Sequence, residues 1–368
     1  MKRPHIRPRT LLWALPAATA LILFWVLPHF PAFTETVFSR GLFRVVSVPL
    51  GFLTSLFPFS LTELLVVLVL PLMIVLTVLL VRRLRRPGSR RTFAATLIRR
   101  TAWVLSCGFA LYMLLHGLNF YRLPVAELAG LDTRQQDEFF LQKVCMDLAE
   151  KASTERAKLG EDADGRIDPE RSMGDILRQA DAGYRAAQED YPFLWGAVWQ
   201  PKPVQLSHWW SYTGITGMYF PFVAEANVNI DVPVFNIPAT AAHELAHTRG
   251  FAREDECNFL AYLTCLYQDD PLYRYSGYLM AYLYCENALY DFDQEMWREM
   301  RDACSEAMLR DLQQQRQYWK QFEGEVQQVS TKVNDAFITS QGVEDGVLSY
   351  DRVVELVMAY YQTVIWAE

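Results

Sequence analysis

The chain has 368 residues, of which 51% are hydrophobic and 14% aromatic, and its formal net charge is −7. This composition is too apolar for a typical soluble protein, and the negative net charge argues against a nucleic-acid partner. The six cysteines include no C-x-x-C pair, which argues against a cysteine-based zinc site and leaves open whether some of them form disulfides.

Long apolar runs in the first third of the chain predict three transmembrane helices, over about residues 11–30, 62–82 and 101–121. The first run is also compatible with a cleaved signal peptide, but no small-residue cleavage site follows it, so an uncleaved span is preferred. His116 lies near the end of the third run, where snorkelling toward the interface or packing between helices is its expected role. The segment 42–58 is apolar but interrupted by an arginine and two prolines, and we predict that it is interfacial or re-entrant.

Basic residues determine the expected orientation of these helices. Four of them precede the first span and eight lie between the second and third spans, whereas the loop after the first span has only Arg40 and Arg44. The positive-inside rule therefore places the N-terminus in the cytoplasm, and three crossings place the remainder outside a bacterial cell. We thus predict a multi-pass membrane domain over residues 1–122, in contact with lipid, and an extracytoplasmic domain over residues 123–368. A crossing by the segment 42–58 would invert this arrangement.

The residues after the membrane domain predict mostly α-helix with a small sheet. Residues 133–190 carry helical apolar stripes, residues 203–237 have the glycine, β-branched and aromatic residues typical of short strands, and helical patterns return from Ala239. Asp162 and Asp164 form a D-x-D-G sequence, but the glutamate that completes a calcium loop is missing, so we do not expect calcium binding. The expected fold class is mostly α, with transmembrane helices followed by an α+β domain.

The sequence AAHELAHT at residues 241–248 carries the strongest functional signal of the chain. On a helix, His243 and His247 share one face one turn apart, so both rings can bind one metal ion. Glu244 is one step round the helix and can reach a water molecule on that ion, which is the chemistry of the HExxH motif. Zn²⁺ needs such neutral imidazoles and a third protein ligand, with one position left for water. The alternative, two ordinary histidines on an amphipathic helix, is disfavoured because the chain has only six histidines.

Two glutamates that follow the motif are candidates for the third metal ligand. Gly250 permits a sharp reversal of the chain, so that a second helix starting near Arg253 brings Glu254 or Glu256 back toward the histidines. Glu254 is favoured, because Asn258 lies four residues further on the same helix face and can hydrogen-bond a ligating histidine.

This arrangement resembles the gluzincin metallopeptidases, in which the glutamate of an E-x-x-x-D sequence is the third ligand, although Asn258 stands here in place of the aspartate. The opening HELAHTRG also matches the metzincins, but Arg253 occupies the position of their third histidine, so that alternative fails. In zincins an edge strand above the metal helix pairs with the substrate. The resemblance therefore implies substrate-binding roles for Glu225, Asn227 and Asn229, and a short polar strand without such a role is the alternative.

A donor that stabilises the oxyanion is also expected in this chemistry. Tyr278 and Tyr282 are the candidates, although tyrosines on helices more often belong to the core. His208 is a candidate ligand or transition-state donor, but its neighbours Trp209 and Trp210 favour a structural role.

Motifs spread over nearly the whole chain resemble the bacterial membrane family known as domain of unknown function 3810, among them FPFSLTELL, GMYFPFVAEANVN, AHELAHTRGFAREDECNFLAY and YRYSGYLMAYLY. The resemblance implies a zincin-like domain that binds Zn²⁺ and says little about the substrate. The expected function is a membrane-anchored zinc metallopeptidase that hydrolyses peptide or protein substrates with Glu244 as general base. The alternative is a non-catalytic sensor, a zinc-stabilised extracytoplasmic module that binds a peptide or a cell-wall fragment.

Overall fold

The computed structural model of the protein describes residues 12–85, 90–134, 137–197, 199–340 and 351–367. Within these residues the structure is mostly helical and contains a three-stranded sheet, which confirms the coarse fold class predicted from the sequence. The zincin-like organisation of the domain stays a prediction. Some basic residues used to orient the membrane helices lie outside the described residues, namely Lys2, Arg3, Arg7, Arg9 and Arg86.

The N-terminal part consists of apolar helices, in chain order α1 (Leu15–Val26), α2 (Pro31–Phe33), a π-helix (Thr34–Leu42), α3 (Phe43–Ser55), α4 (Leu61–Leu84) and α5 (Arg90–Leu115). Short 3-10 turns, Leu12–Ala14 and Leu27–His29, flank α1. Helix α5 ends at Leu115 rather than near residue 121, because a buried 3-10 turn, Gly117–Tyr121, follows it. Four stretches are long and apolar enough to cross a membrane: Leu12–His29, Pro31–Ser55, Leu61–Leu84 and Phe93–Leu115.

The stretch Pro31–Ser55 contains the segment predicted to be interfacial. It touches the rest of the chain at both ends: Glu35 accepts hydrogen bonds of 2.7 and 2.9 Å from Arg122, and Gly51 lies under Trp199, whose ring would be 2.3 Å from an added Cβ. The stretch Pro31–Ser55 therefore lies along the part of the chain that follows α5. Its length and apolar character alone would also allow a crossing, so its interfacial placement stays a prediction.

The large domain is built around one long helix, α12 (Pro271–Phe292), which packs along α7 (Glu138–Arg156) and against α10 (Ile237–Thr248) and α11 (Glu254–Leu266). Two of its buried tyrosines have the hydrogen-bond partners that buried phenols usually find: the Tyr273 hydroxyl donates to the Ile176 carbonyl at 2.7 Å, and the Tyr275 hydroxyl to Asp311 at 2.7 Å. All six cysteines are free thiols. The other helices are α6 (Val125–Ala129), α8 (Met173–Ala187), α9 (Ser207–Ser211), α13 (Gln294–Arg301), α14 (Glu306–Lys320), α15 (Glu325–Ser340), α16 (Asp351–Tyr360), a π-helix (Tyr361–Ile365) and the 3-10 turns Pro192–Leu194, Pro221–Val223 and Val234–Asn236.

The sheet packs against α10 and has the strand order β1-β3-β2. Strand β1 (Lys202–Val204) is parallel to β3 (Glu225–Asn229), and β2 (Gly217–Phe220) is antiparallel to it. Each of the two outer strands pairs with Asn227, through Lys202 on one side and Met218 on the other. In the sheet as described, β3 is therefore the central, fully buried strand and β2 is an edge strand.

A buried polar network binds the start of α4 to the sheet. The Ser60 hydroxyl donates to Asn227 Oδ1 at 2.6 Å, and Glu225 accepts from both the backbone N–H and the hydroxyl of Thr62 at 2.9 Å. Lys202 of β1 forms an ion pair with the same carboxylate. Because a buried charge without its partner is costly, this network holds the apolar helix α4 in a defined position against β3.

Candidate metal centre

Two helices joined by a tight turn bring the HExxH motif and the acids that follow it together. Helix α10 ends at Thr248, and Gly250 then adopts a φ of +81°, a left-handed conformation that suits glycine. The Phe251 N–H bonds the Ala246 carbonyl and closes the end of the helix. Helix α11 begins at Glu254, where three acids in the first turn suit the positive end of the helix dipole. The short connection returns this first turn to the histidine face of α10.

Three ligand atoms meet between α10 and α11. The Nε2 atoms of His243 and His247 are 3.2 Å apart, and Glu254 places its two carboxylate oxygens 3.1 Å from His243 Nε2 and 3.6 Å from His247 Nε2. A tetrahedral zinc site with bonds of about 2.0–2.1 Å has ligand atoms about 3.3–3.4 Å apart. Among the described residues, these three form the group of His, Cys, Asp and Glu side chains close enough to hold one metal ion. Both the spacing and the donor types fit Zn²⁺.

Hydrogen bonds at the other ring nitrogens orient both histidines. His247 Nδ1 is 2.8 Å from the carbonyl oxygen of Phe251, and His243 Nδ1 is 2.8 Å from Asn258 Oδ1. Because a carbonyl oxygen only accepts, Nδ1 of His247 donates, and the neutral ring has its lone pair at Nε2. The Nε2 atoms and the carboxylate then face one another, an arrangement that a cation stabilises.

The charges of this cluster shift pKa values in opposite directions. Burial would raise the pKa of Glu254, but the neighbouring His247 and His243 lower it to about 2. Burial would lower the pKa of His243, but the hydrogen bond and charge of Glu254 raise it to about 9. The Glu254 carboxylate thus stabilises a positive charge at the histidine rings, which is a proton on His243 in the absence of metal, and a bound metal ion would replace that proton.

Glu244 lies buried beside these ligands. The residue is only 4% exposed, and among the described residues its Oε2 atom has no hydrogen-bond partner. Burial raises the pKa of Glu244 to about 8, against the opposing effect of His243. A Cβ added to Gly217 of β2 would lie 2.4 Å from Glu244 Oε1, so only glycine lets the edge strand pass so close to this carboxyl. A buried carboxyl that takes up a proton near neutral pH suits general acid–base chemistry.

His116, the residue that follows α5, lies beside this cluster, although the sequence analysis expected it to pack between helices. The ring centroids of His116 and His247 are 5.7 Å apart, and the Tyr219 ring stacks on His247 with a centroid distance of 6.0 Å. The Tyr219 hydroxyl donates to the Leu115 carbonyl at 3.4 Å. The sequence did contain one indication of this role, because an ionisable residue such as His116 at the end of an apolar span is by default a candidate functional residue.

The structure separates the two alternatives for the third ligand. Glu256 lies about 200° round the helix from Glu254, and its carboxylate accepts from the Val125 N–H at 3.0 Å. Burial raises the pKa of Glu256 to about 7, with Arg253 opposing this effect. The structure therefore brings Glu254, and not Glu256, to the two histidines.

The three residues predicted to bind substrate lie on the central strand β3 and have partners within the protein. Glu225 and Asn227 hold the start of α4, and Asn229 donates to Ser211 Oγ at 2.9 Å. Both asparagines are completely buried. The edge strand beside Glu244 is β2, on the other side of the sheet from β1. The substrate-binding role of the three β3 residues stays a prediction that this buried arrangement does not support.

The remaining candidates lie in other surroundings. Tyr278 is buried in the core, and the Tyr282 hydroxyl accepts a hydrogen bond from Cys304 Sγ at 3.3 Å. His208 is exposed, with its Nδ1 3.1 Å from Asp231 Oδ2. Within the part of the chain that the structure describes, no recorded hydrogen bond, ion pair or ring contact joins these three candidates to the metal cluster.

Comparisons with known proteins give a family and no function. The family model described as protein of unknown function (DUF3810) matches residues 38–358. No curated protein and no solved structure matches the chain significantly. The matched residues include α4, α5, the sheet and the whole candidate metal centre.

Proposed function

The chain belongs to the DUF3810 family, a family of unknown function, and we propose that it is a membrane-anchored, zinc-dependent peptidase. The observation that carries this proposal is the cluster of His243, His247 and Glu254 with the buried Glu244 beside it. Two imidazoles and one carboxylate leave a coordination position for water, and such an open site is typical of catalytic rather than structural zinc.

His243, His247 and Glu254 would hold the ion, which when bound supplies a Lewis acid and lowers the pKa of a coordinated water to about 7. Glu244 takes a proton from the attacking water and returns it to the leaving amine, because its carboxyl is buried and one of its oxygens has no hydrogen-bond partner among the described residues. Asn258 keeps the His243 ring in the orientation that this arrangement needs.

The exposed side of the cluster indicates how a peptide would approach. The side chains of Glu254 and His243 are 25% and 13% exposed, whereas that of His247 is 5% exposed. A substrate therefore enters from the side of Glu254. Strand β2 passes beside Glu244 at Gly217, and an edge strand offers backbone groups that pair with an extended peptide.

The proposed topology places the large domain outside the cytoplasm. Ser60, just before α4, and His116, just after α5, both contact the domain, so these two helices leave it on the same side. Arg82 and Arg83 lie at the far end of α4. Under the positive-inside rule that end is cytoplasmic, and the domain is extracytoplasmic.

A non-catalytic, zinc-stabilised sensor is the second candidate. The near-complete burial of His247 and Glu244 suits a structural site. Such a site, however, is usually closed by four protein ligands, and the described residues supply three. It also has no use for a buried carboxyl beside the ion with one oxygen that has no hydrogen-bond partner among the described residues, so the peptidase is the better supported proposal.

Removing the metal tests the proposal directly. We expect the full-length protein, purified in detergent, to contain about one zinc per chain and to hydrolyse a mixture of fluorescence-quenched peptides. A chelating phenanthroline should remove the zinc and lower the rate by more than about 100-fold, because the ion supplies the Lewis acid. Added Zn²⁺ should restore both, and a non-chelating phenanthroline isomer is the control. Zinc-loaded protein that cleaves no peptide, or zinc-free protein that cleaves at an undiminished rate, would contradict the proposal.

Asn258 is expected to affect zinc affinity through the orientation of His243. Asn258→Ala removes the 2.8 Å hydrogen bond to His243 Nδ1 and should weaken zinc binding by about 10–100-fold. Asn258→Asp keeps an acceptor and adds charge, so it should bind zinc at least as tightly as the wild type. Competition with a zinc-responsive dye measures both affinities. Equal affinities for the alanine and aspartate variants would remove Asn258 from this role.

A further inference from the structure

The candidate metal centre lies against the domain-side ends of two apolar helices. His116 directly follows Leu115, the last residue of the apolar stretch Phe93–Leu115, and its ring contacts the His247 ring. On the other side, Ser60 directly precedes α4 and hydrogen-bonds Asn227 in the sheet beside α10. The site is therefore built directly on the ends of the membrane helices.

The lengths of these helices set the height of the site above the bilayer. Helix α4 has 24 residues and the apolar stretch of α5 has 23, which correspond to about 36 and 34 Å at 1.5 Å per residue. Each just crosses a hydrocarbon core of about 30 Å, and the headgroup region adds about 5–8 Å on each side. Because His247 is one ring contact away from His116, the ligands lie in the headgroup region or just above it.

Exposed apolar side chains lie at the same level, in the last turn of α3 and in the connection from α3 to α4. Lys202 holds this segment on the domain, since its Nζ donates to the carbonyl oxygens of Thr54 and Phe59. An apolar surface of this kind is unfavourable in water and stable at a lipid interface, where aromatic residues are enriched. Its members are between 44% and 64% exposed: Phe52, Leu53, Leu56, Phe57 and Phe59.

From this placement we infer that the substrate is a membrane-anchored polypeptide, cleaved within a few residues of its own span. An extended chain rises about 3.3 Å per residue, so the 5–8 Å of the headgroup region corresponds to about two residues beyond the end of a span, and a bond just above that region lies a few residues further on. A soluble polypeptide would have to displace lipid headgroups to reach the same position. The inference names the substrate class of the peptidase and rests on the proposed function.

The reaction is ordinary hydrolysis of a peptide bond. The oxygen of water bonds to the acyl carbon, the C–N bond breaks, and the proton that Glu244 accepts passes to the departing amine. The products are a carboxylate and an amine, one of which remains in the membrane with the anchor. No oxidant or further reactant is needed.

The test uses full-length protein in liposomes of phosphatidylethanolamine and phosphatidylglycerol, with three fluorescent probes that share one randomised segment. In the short-spacer probe the segment lies about four residues from a Leu-Ala transmembrane helix, and in the long-spacer probe it lies about thirty residues from the same helix. In the third probe it is a free peptide. For each probe, the cleavage rate of Glu244→Gln protein is subtracted from that of wild-type protein. We expect the short-spacer probe to be cleaved at least about tenfold faster than the long-spacer probe, although both have the same concentration in the membrane.

The possible results separate this inference from the function on which it rests. Equal rates for the two anchored probes, or fastest cleavage of the free peptide, would overturn the inference and leave the peptidase intact. If liposomes with about one zinc per chain cleave none of the probes, the peptidase is overturned and the inference with it. Zinc content, measured on the same liposomes, distinguishes that result from loss of the metal.

Discussion

Glu244→Gln is expected to lower the rate of peptide hydrolysis by about 10²–10⁴-fold while zinc remains bound, because it removes the general base and none of the ligands. Burial raises the pKa of Glu244 to about 8, so the neutral glutamine resembles a protonation state that the site already accommodates. The variant should therefore fold. Its zinc content and its rate on the same peptide mixture are the two measurements, and only the rate should change.

Glu286→Gln is the matched control. Glu286 is also a buried glutamate, and among the described residues its Oε2 atom likewise has no hydrogen-bond partner, but it lies on α12 rather than beside the histidines. Its substitution should leave both rate and zinc content unchanged. A Glu244→Gln protein that hydrolyses peptides as fast as the Glu286→Gln protein would exclude Glu244 as the base.

Local periodicity explains why the centre of the site was predictable from the sequence. His243 and His247 are four residues apart, and the helix repeat alone places both rings on one face. Gly250 predicts the turn. Glu254 and Asn258 are four residues apart, and this spacing predicts which face of the next helix packs against the histidines. Each of these inferences uses contacts between residues close in the sequence, where backbone geometry leaves few alternatives.

The contacts between distant parts of the chain were not predictable in this way. Glu225 and Asn227 were predicted to lie on an edge strand that binds substrate, but their partners, Ser60 and Thr62, lie at the start of the apolar helix α4, far back in the chain. His116 appeared to be a packing residue for the same reason, since nothing near it in the sequence reveals His247. A polar residue at the end of an apolar helix indicates that it has an interaction partner, but only the folded structure identifies that partner.

The strands show a related limit. The segment 203–237 correctly predicts short strands, but composition does not say which strand is central. The pairing of Asn227 with both Lys202 and Met218 makes β3 central and leaves β2 at the edge. Strand order depends on packing against α10 and α4, so a substrate-binding strand could not be chosen from sequence. The close approach of Gly217 to Glu244 favours β2.

Glu254→Gln is expected to weaken zinc affinity by more than about 100-fold, because it replaces a charged ligand, and even residues that only orient ligands cost 10–100-fold. The carboxylate is 3.1 Å from His243 Nε2, and the two histidines lower the pKa of Glu254 to about 2 against the effect of burial. The site therefore holds the charged form. Competition with a zinc-responsive dye measures the loss of zinc affinity. Peptide hydrolysis is measured in addition, at saturating zinc.

Glu256→Gln makes the same chemical change two residues further on. Burial raises the pKa of Glu256 to about 7, and a glutamine oxygen can still accept from the Val125 N–H, so this variant should fold and bind zinc like the wild type. The pair isolates the ligand role, because both substitutions replace a glutamate in the first turn of α11 with its amide. A stronger loss of zinc in Glu256→Gln than in Glu254→Gln would mean that the first turn rotates when metal binds, and the ligand set would have to be reassigned.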